Sequence, residues 1–318
     1  MMWLWLTPNI SFCALIRRTE VLYCIRPEDL VENFLGFQEA LDIFPPRCSS
    51  VHILCKSQVE SYFYQSIETL NRKSHTPFLL HSMSDSGFDL GTYLQHIEGS
   101  NAEFFILMSA SSRPTTEGWD EILTEPLKSN QGSLVGSMVS QESLSSTFLL
   151  DIAKAALTRI SPKNCFFSIN HKFHRSFLLL LYCLGFLSLI PFFVGHPLYT
   201  LKRFFLFQLF PNTHLRSTGI ALSREFFLRI VEGSPKQKID ALIKESGRRG
   251  LTVAAFSEIV PPVLATPNSV LDIRSERAKQ FFRSDSNFLP IVLDRHFTIY
   301  KESDLAARLA LRKRTWGY

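Results

Sequence analysis

Four small residues, Ser109, Ala110, Ser111 and Ser112, follow directly on the apolar run Phe104–Met108, and Arg113-Pro114 closes the turn behind them. An apolar run of this length bounded by turn formers predicts a buried strand. In an open α/β sheet, ligands gather beyond the carboxyl ends of such strands. Ser109–Ser112 therefore mark the floor of a candidate site. A second small-residue turn, Ser82-Met83-Ser84-Asp85-Ser86-Gly87, follows the apolar run Phe78–His81 and leads into Asp89. Gly87 and Gly91 would let backbone approach a ligand there, while the carboxylate of Asp89 either accepts hydrogen bonds from one or caps the next helix. Charge supplies a further clue. From Ile152 through Arg224 there is no Asp or Glu, yet Lys154, Arg159, Lys163, Lys172, Arg175, Lys202, Arg203, Arg216 and Arg224 all fall in that block. So one-sided a stretch points to an anionic partner: a lipid surface, a phosphate-bearing ligand or nucleic acid.

The elements that would position these residues alternate between the two periodicities. Strands are expected at Glu20–Ile25, Val51–Cys55, Phe78–His81, Phe104–Met108 and Ser133–Val139. Helices are expected at Asp29–Phe44, Gln58–Leu70, Asp89–Glu98 and Trp119–Leu127. Such alternation predicts an α/β fold with a mainly parallel sheet and helices on both faces. Further on, Ile220–Leu222 reads as a strand, Arg224–Val231 and Lys238–Lys244 as helices, and Leu251–Phe256 as a short strand. The tail from Ser257 reads as loop-rich, with strand-like runs at Ile291–Leu293 and Phe297–Tyr300 and a basic helix at Asp304–Arg314.

With 318 residues, 46% hydrophobic and 20% charged, the chain can bury a substantial core, and wholesale disorder is excluded. Its six cysteines show neither a CxxC pair nor regular spacing, and we read them as reduced packing residues rather than disulfides or a zinc site. Residues 1–18 form an apolar N-terminal segment ending in Arg17-Arg18; it is short for a membrane span and lacks the order of charge and cleavage site of a secretory signal. Phe177–Val194 is the most hydrophobic stretch, interrupted by Gly185 and Pro191 and flanked by basic residues. It could span a bilayer, lie in one leaflet or form a core helix. We favour the leaflet, because a single crossing would put the two halves of the chain on opposite sides. The expected division is therefore 19–150, 151–210 as a basic, apolar membrane-associating insertion, and 211–318. Nucleic acid fits poorly, since the aromatics of the basic block lie in long apolar runs.

Five short blocks, in order, resemble the GT-A class (family 2-like) of nucleotide-sugar-dependent glycosyltransferases, in particular a divergent group associated with bacterial surface polysaccharide. They are Ser86-Gly87-Phe88-Asp89-Leu90-Gly91-Thr92-Tyr93; Phe105–Trp119; Phe210–Arg216; Lys238-Ile239-Asp240-Ala241 continuing to Glu245-Ser246-Gly247-Arg248; and Asn287–Tyr300 with Arg314-Thr315-Trp316-Gly317. The resemblance implies a nucleotide-sugar donor and a lipid-linked or polysaccharide acceptor, at the cytoplasmic face of a membrane with an anionic surface. It implies donor-binding roles for Asp85, Gly87, Asp89, Ser109, Ser111, Arg113, His214, Arg216 and Arg248. Such enzymes usually stabilise the departing diphosphate with Mn²⁺ or Mg²⁺ held by an Asp-x-Asp pair. Here Ser109-Ala110-Ser111 occupies that position. The metal ligands are therefore unknown: another acid supplies them, or Arg113, His214, Arg216 and Arg248 neutralise phosphate directly, or transfer activity has been lost. His214 could equally be a structural histidine. An inverting transfer needs a carboxylate base, for which Asp240 and Glu245 are the candidates. A catalytically inactive glycan-binding or complex-forming subunit is the alternative.

Overall fold

The structure is a computed structural model that describes residues 18–26, 30–56, 61–84, 88–129, 134–140, 213–216, 218–233, 262–275, 278 and 289–316. The segments 1–16 and 177–194, the helix expected at Lys238–Lys244 and the strand expected at Leu251–Phe256 lie outside these residues.

The first half alternates strand and helix: β1 (Thr19–Ile25), α1 (Leu30–Ile43), β2 (Ser50–Cys55), α2 (Ser61–Lys73), β3 (Phe78–Ser82), α3 (Phe88–Gly99) and β4 (Phe104–Ser109). After the two-residue strand β5 (Arg113–Pro114) come α4 (Trp119–Lys128), β6 (Leu134–Gly136) and β7 (Val139–Ser140). The second half supplies β8 (His214–Leu215), β9 (Ile220–Ser223), α5 (Arg224–Gly233), β10 (Val263–Thr266), β11 (Ser269–Asp272), β12 (Val292–Leu293), α6 (Arg295–Glu302) and α7 (Leu305–Trp316).

Eight strands form one sheet in the order β11-β10-β6-β9-β4-β1-β2-β3. The expected α/β fold with a mainly parallel sheet is what the chain adopts. β4, β1, β2 and β3 run parallel, as do β10 and β6. β9 runs antiparallel between β4 and β6, so the sheet draws strands from both halves of the sequence. Every residue of β2 and β4 is buried, as expected of strands covered on both faces.

Helices cover both sides. On one face Phe34, Phe37 and Leu41 of α1, Phe63, Ile67 and Leu70 of α2, and Trp119, Leu123 and Leu127 of α4 pack on Val21, Ile53 and Ile106. The spacings are helical, which is why these stretches fold as amphipathic helices. On the other face Tyr93 and Ile97 of α3, and Phe226 and Phe227 of α5, pack on Leu22, Leu54, Phe105 and Leu222. Trp119 is fully buried, and its indole N–H donates to the Phe44 carbonyl at 3.2 Å, tying α4 to the end of α1.

Three local expectations are corrected. The strand expected at Ser133–Val139 breaks at Ser137-Met138: β6 joins the main sheet, whereas β7 pairs with β8 in a separate ribbon. The loop-rich tail contains the β10–β11 hairpin around Pro267-Asn268, in which Thr266 and Ser269 bond each other across the turn. Phe297–Tyr300 belongs to helix α6, not to a strand. Asp294 caps that helix by accepting from the Phe297 N–H at 2.8 Å, and the aromatics lie one helical turn apart.

Candidate functional site

The carboxyl ends of β1, β2 and β4 lie side by side. Cys24 is level with Ser109 across the β1–β4 pair, and Ile25 with Cys55 across β1–β2. Adjacent strands stand about 4.8 Å apart, so residues leaving these strands share one edge of the sheet.

At the exits of β1 and β2 stand two cations, Arg26 and Lys56, the first residues past their strands. Both meet Asp89 in the first turn of α3. Arg26 Nη2 and Nε donate to Asp89 Oδ1 at 3.0 and 3.3 Å, and Lys56 Nζ lies 3.3 Å from the same oxygen. The Lys56 side chain is fully buried, whereas those of Arg26 and Asp89 keep some exposure. Cys24 Sγ sits 3.7 Å from Asp89 Oδ1; burial and then the negative charge of Asp89 push this thiol up, so it remains protonated and can donate. Asp89 is thus an ion-pairing carboxylate beside two cations.

The exit of β4 is pinned from both faces of the sheet. Tyr23 donates to the Ala110 carbonyl at 2.6 Å, and Tyr93 donates to the Met108 carbonyl at 2.8 Å. Tyr23 itself is stacked on Phe37, with ring centroids 4.0 Å apart. Each such bond contributes about 1 kcal/mol, and together they fix the direction in which the serine turn leaves the strand. Within the turn the Ser109 N–H donates to Ser112 Oγ at 2.8 Å, and the Ser112 N–H donates to the Ser109 carbonyl at 2.9 Å. Ser109 is buried, with its hydroxyl 2.9 Å from Thr218 Oγ1 and 3.4 Å from those of Ser111 and Ser112.

Thr218 brings in the remote segment. Gly219, at φ 66°, donates its N–H to the Leu107 carbonyl at 3.0 Å and starts β9 against β4. Just before it, Arg216 forms an ion pair with Asp294, the cap of α6, while its N–H donates to the Met138 carbonyl at 3.0 Å. His214 is buried in β8 opposite Ser140 of β7. Arg113, on β5, lays its guanidinium against the backbone of α1: a Cβ placed on Gly36 would lie 2.4 Å from Arg113 Nη2.

Of the residues predicted from sequence, Asp89, Ser109 and Ser111 stand at the carboxyl edge, and the segment bearing His214 and Arg216 reaches that edge through Thr218. Asp85, Gly87, Asp240, Glu245 and Arg248 lie outside the described residues. A divalent ion of the kind the resemblance implies takes carboxylate oxygens. Ser109 and Ser111 offer neutral hydroxyls, and Ser109 is turned inward on Thr218. This donor set does not fit Mn²⁺ or Mg²⁺. Arg26 and Lys56 were missed by sequence reasoning. Their signal was present, since each is a basic residue directly after a buried apolar strand.

No protein-family model matches the sequence, and no curated protein does. Solved structures give distant likenesses. The chain is similar to S. aureus TarS at 9% identity and a TM-score of 0.30, over 37% of this chain and 21% of that one. A TarS structure in complex with UDP-GlcNAc gives 9% and 0.30, over 37% and 33%. Core-mannan synthase A (CmsA/Ktr4) from Aspergillus fumigatus, in an Mn/GDP form, gives 9% and 0.41, over 79% and 71%. The alignments to TarS thus span a fifth to a third of its chains. Likenesses this remote carry no function across.

Proposed function

We propose that the chain is a membrane-associated glycosyltransferase of GT-A type that moves a sugar from a nucleotide-sugar donor to a lipid-linked or polysaccharide acceptor. The observation that carries this reading is the Arg26–Asp89–Lys56 cluster beside the serine turn at the carboxyl edge of the sheet. A diphosphate placed there would meet two cations and the small-residue exit of β4, where little side-chain bulk opposes it. Arg216 and Arg248 would add positive charge as the nucleoside diphosphate departs. Asp89 would orient the donor through Arg26. Asp240 or Glu245 would take the proton from the acceptor hydroxyl, completing the displacement without a metal held by Ser109 and Ser111.

Calorimetric titration with UDP and with GDP tests the donor site. Saturable binding of one of them is expected, weakened about tenfold or more by Arg26→Gln in a protein that still folds. No heat with either nucleotide overturns the reading. The neutral hydroxyls of Ser109 and Ser111, the first turned inward on Thr218, favour a second reading, a nucleotide- or glycan-binding subunit that transfers nothing. Tight nucleotide binding without turnover of any sugar donor would select it.

Among the described residues no helix is long and apolar enough to cross a membrane. The proposed membrane association rests on the composition of 177–194 and its basic flanks. Deleting that segment is expected to move the chain from the membrane fraction to the supernatant at low salt. Unchanged partition would remove the anchor from the proposal.

A further inference from the structure

Away from the carboxyl edge, three histidines from three different elements converge on the α3 face of the sheet. His52 projects from β2, His81 from the edge strand β3 and His96 from α3. One potential ligand atom from each lies within 4.8 Å of the other two. Ring centroids are 4.3 Å apart for His52–His96, 5.1 Å for His52–His81 and 5.3 Å for His81–His96. We propose that His52, His81 and His96 form a binding site for a first-row divalent transition metal, with Zn²⁺ as the natural occupant and Glu20 as the carboxylate that orients the ligands.

The hydrogen bonds around the rings support this assignment. His52 Nδ1 and His81 Nε2 face each other at 2.9 Å, so two ring nitrogens converge on one point and a single proton must serve both. A cation between them would satisfy both lone pairs. The outward nitrogens already have the partners that metal-bound histidines require. His52 Nε2 lies 2.8 Å from Ser50 Oγ, and His96 Nε2 lies 3.0 Å from Glu20 Oε2. His52 Nδ1 and His81 Nε2 therefore form the inward pair, and His96 offers the third ligand atom within 4.8 Å of both residues' own. Ser100 Oγ donates to Glu20 Oε2 at 2.9 Å, fixing the carboxylate in turn. Tetrahedral zinc with nitrogen ligands at about 2.0–2.1 Å places those nitrogens roughly 3.3 Å apart. His52 Nδ1 and His81 Nε2 stand 2.9 Å apart, and all three ligand atoms lie within 4.8 Å of one another.

Three nitrogens without thiolate suit Zn²⁺ and its neighbours rather than Ca²⁺ or Mg²⁺. His81 is only partly buried on an edge strand, which gives the ion a way in and water a place in the fourth position. All four side chains stand on strands or a helix, so the site is built on rigid elements. His96 also lies seven residues along α3 from Asp89, about 10 Å at 1.5 Å per residue. A bound ion would tie that helix to the sheet edge, independently of any nucleotide.

The test uses the full chain, stripped with chelator and titrated with Zn²⁺ against a chromophoric competitor. One equivalent is expected to bind, and unfolding should shift to higher temperature with zinc present. His81→Ala is expected to weaken that equivalent on the order of 100-fold or more, and Glu20→Gln about tenfold or more. Co²⁺ should give the intense visible absorption of a tetrahedral nitrogen-ligated site in the wild type and lose it in His81→Ala. If His81→Ala does not fold, His96→Gln serves in its place. Identical zinc isotherms for the wild type and the variant, or no zinc-dependent rise in unfolding temperature, would overturn the site.

Discussion

Asp89→Ala is expected to lower the free energy of unfolding by about 3 kcal/mol, within the range found when one partner of a buried ion pair is removed. The size of the loss comes from what stays behind. The Lys56 side chain is fully buried, with Nζ 3.3 Å from Asp89 Oδ1. With that carboxylate gone, the ammonium keeps its desolvation cost and loses the charge opposite. Arg26 suffers less, because its guanidinium is partly exposed and can turn towards water. Urea denaturation at neutral pH reads the difference directly. The double variant Lys56→Met/Asp89→Leu is expected to recover part of the loss, since the buried ammonium goes with its carboxylate and only the partly exposed Arg26 loses a partner. A double variant as unstable as the sum of the two single changes would show that the residues do not act as a pair.

Gly219→Ala should cost about 2–5 kcal/mol, from two additive sources. At φ 66° a β-carbon is disfavoured, and this contributes about 1–2 kcal/mol. There is also no room for it. The new atom would lie 2.4 Å from Ser137 Oγ and 2.8 Å from Val292 Cβ. Relieving those contacts means moving β9 relative to β4, or β12 relative to both, and overpacking of this kind costs about 1–3 kcal/mol. Because Thr218 precedes Gly219, the same shift would carry its hydroxyl away from Ser109. Gly99→Ala makes the control. A β-carbon there meets nothing within 4 Å, and the change should stay within about 0.5 kcal/mol of the wild type. Equal melting temperatures for the two variants would refute the account of Gly219.

Apart from β5, where Arg113-Pro114 read as a turn but pairs with β12, the order of elements through α4 was legible because it rests on local signals. The run Phe104–Met108 is apolar without interruption, so it had to be a buried strand. The apolar spacing in α1 and α2 is helical, so those segments had to be helices. Local reasoning failed where a distant partner or a single cap decided the outcome. Phe297–Tyr300 carries aromatic residues suited to a strand, but Asp294 captures the Phe297 N–H and starts a helix. Ser137-Met138 ends β6 because the Ser137 N–H donates to the Gly219 carbonyl, a partner 82 positions along the chain that no window around residue 137 contains.

The candidate site divides in the same way. Sequence by itself determined that a small-residue turn follows a buried strand at Ser109–Ser112, that Asp89 stands at a helix start, and that basic residues dominate the middle of the chain. Only the tertiary structure decided that Arg26 and Lys56 share Asp89, that Ser109 faces Thr218, and that His52, His81 and His96 meet on one face. The reason is physical. Periodicity records which side of an element is buried, because burial acts on each residue separately. Which residues meet is set by strand order and register, and these arise only when the whole sheet assembles.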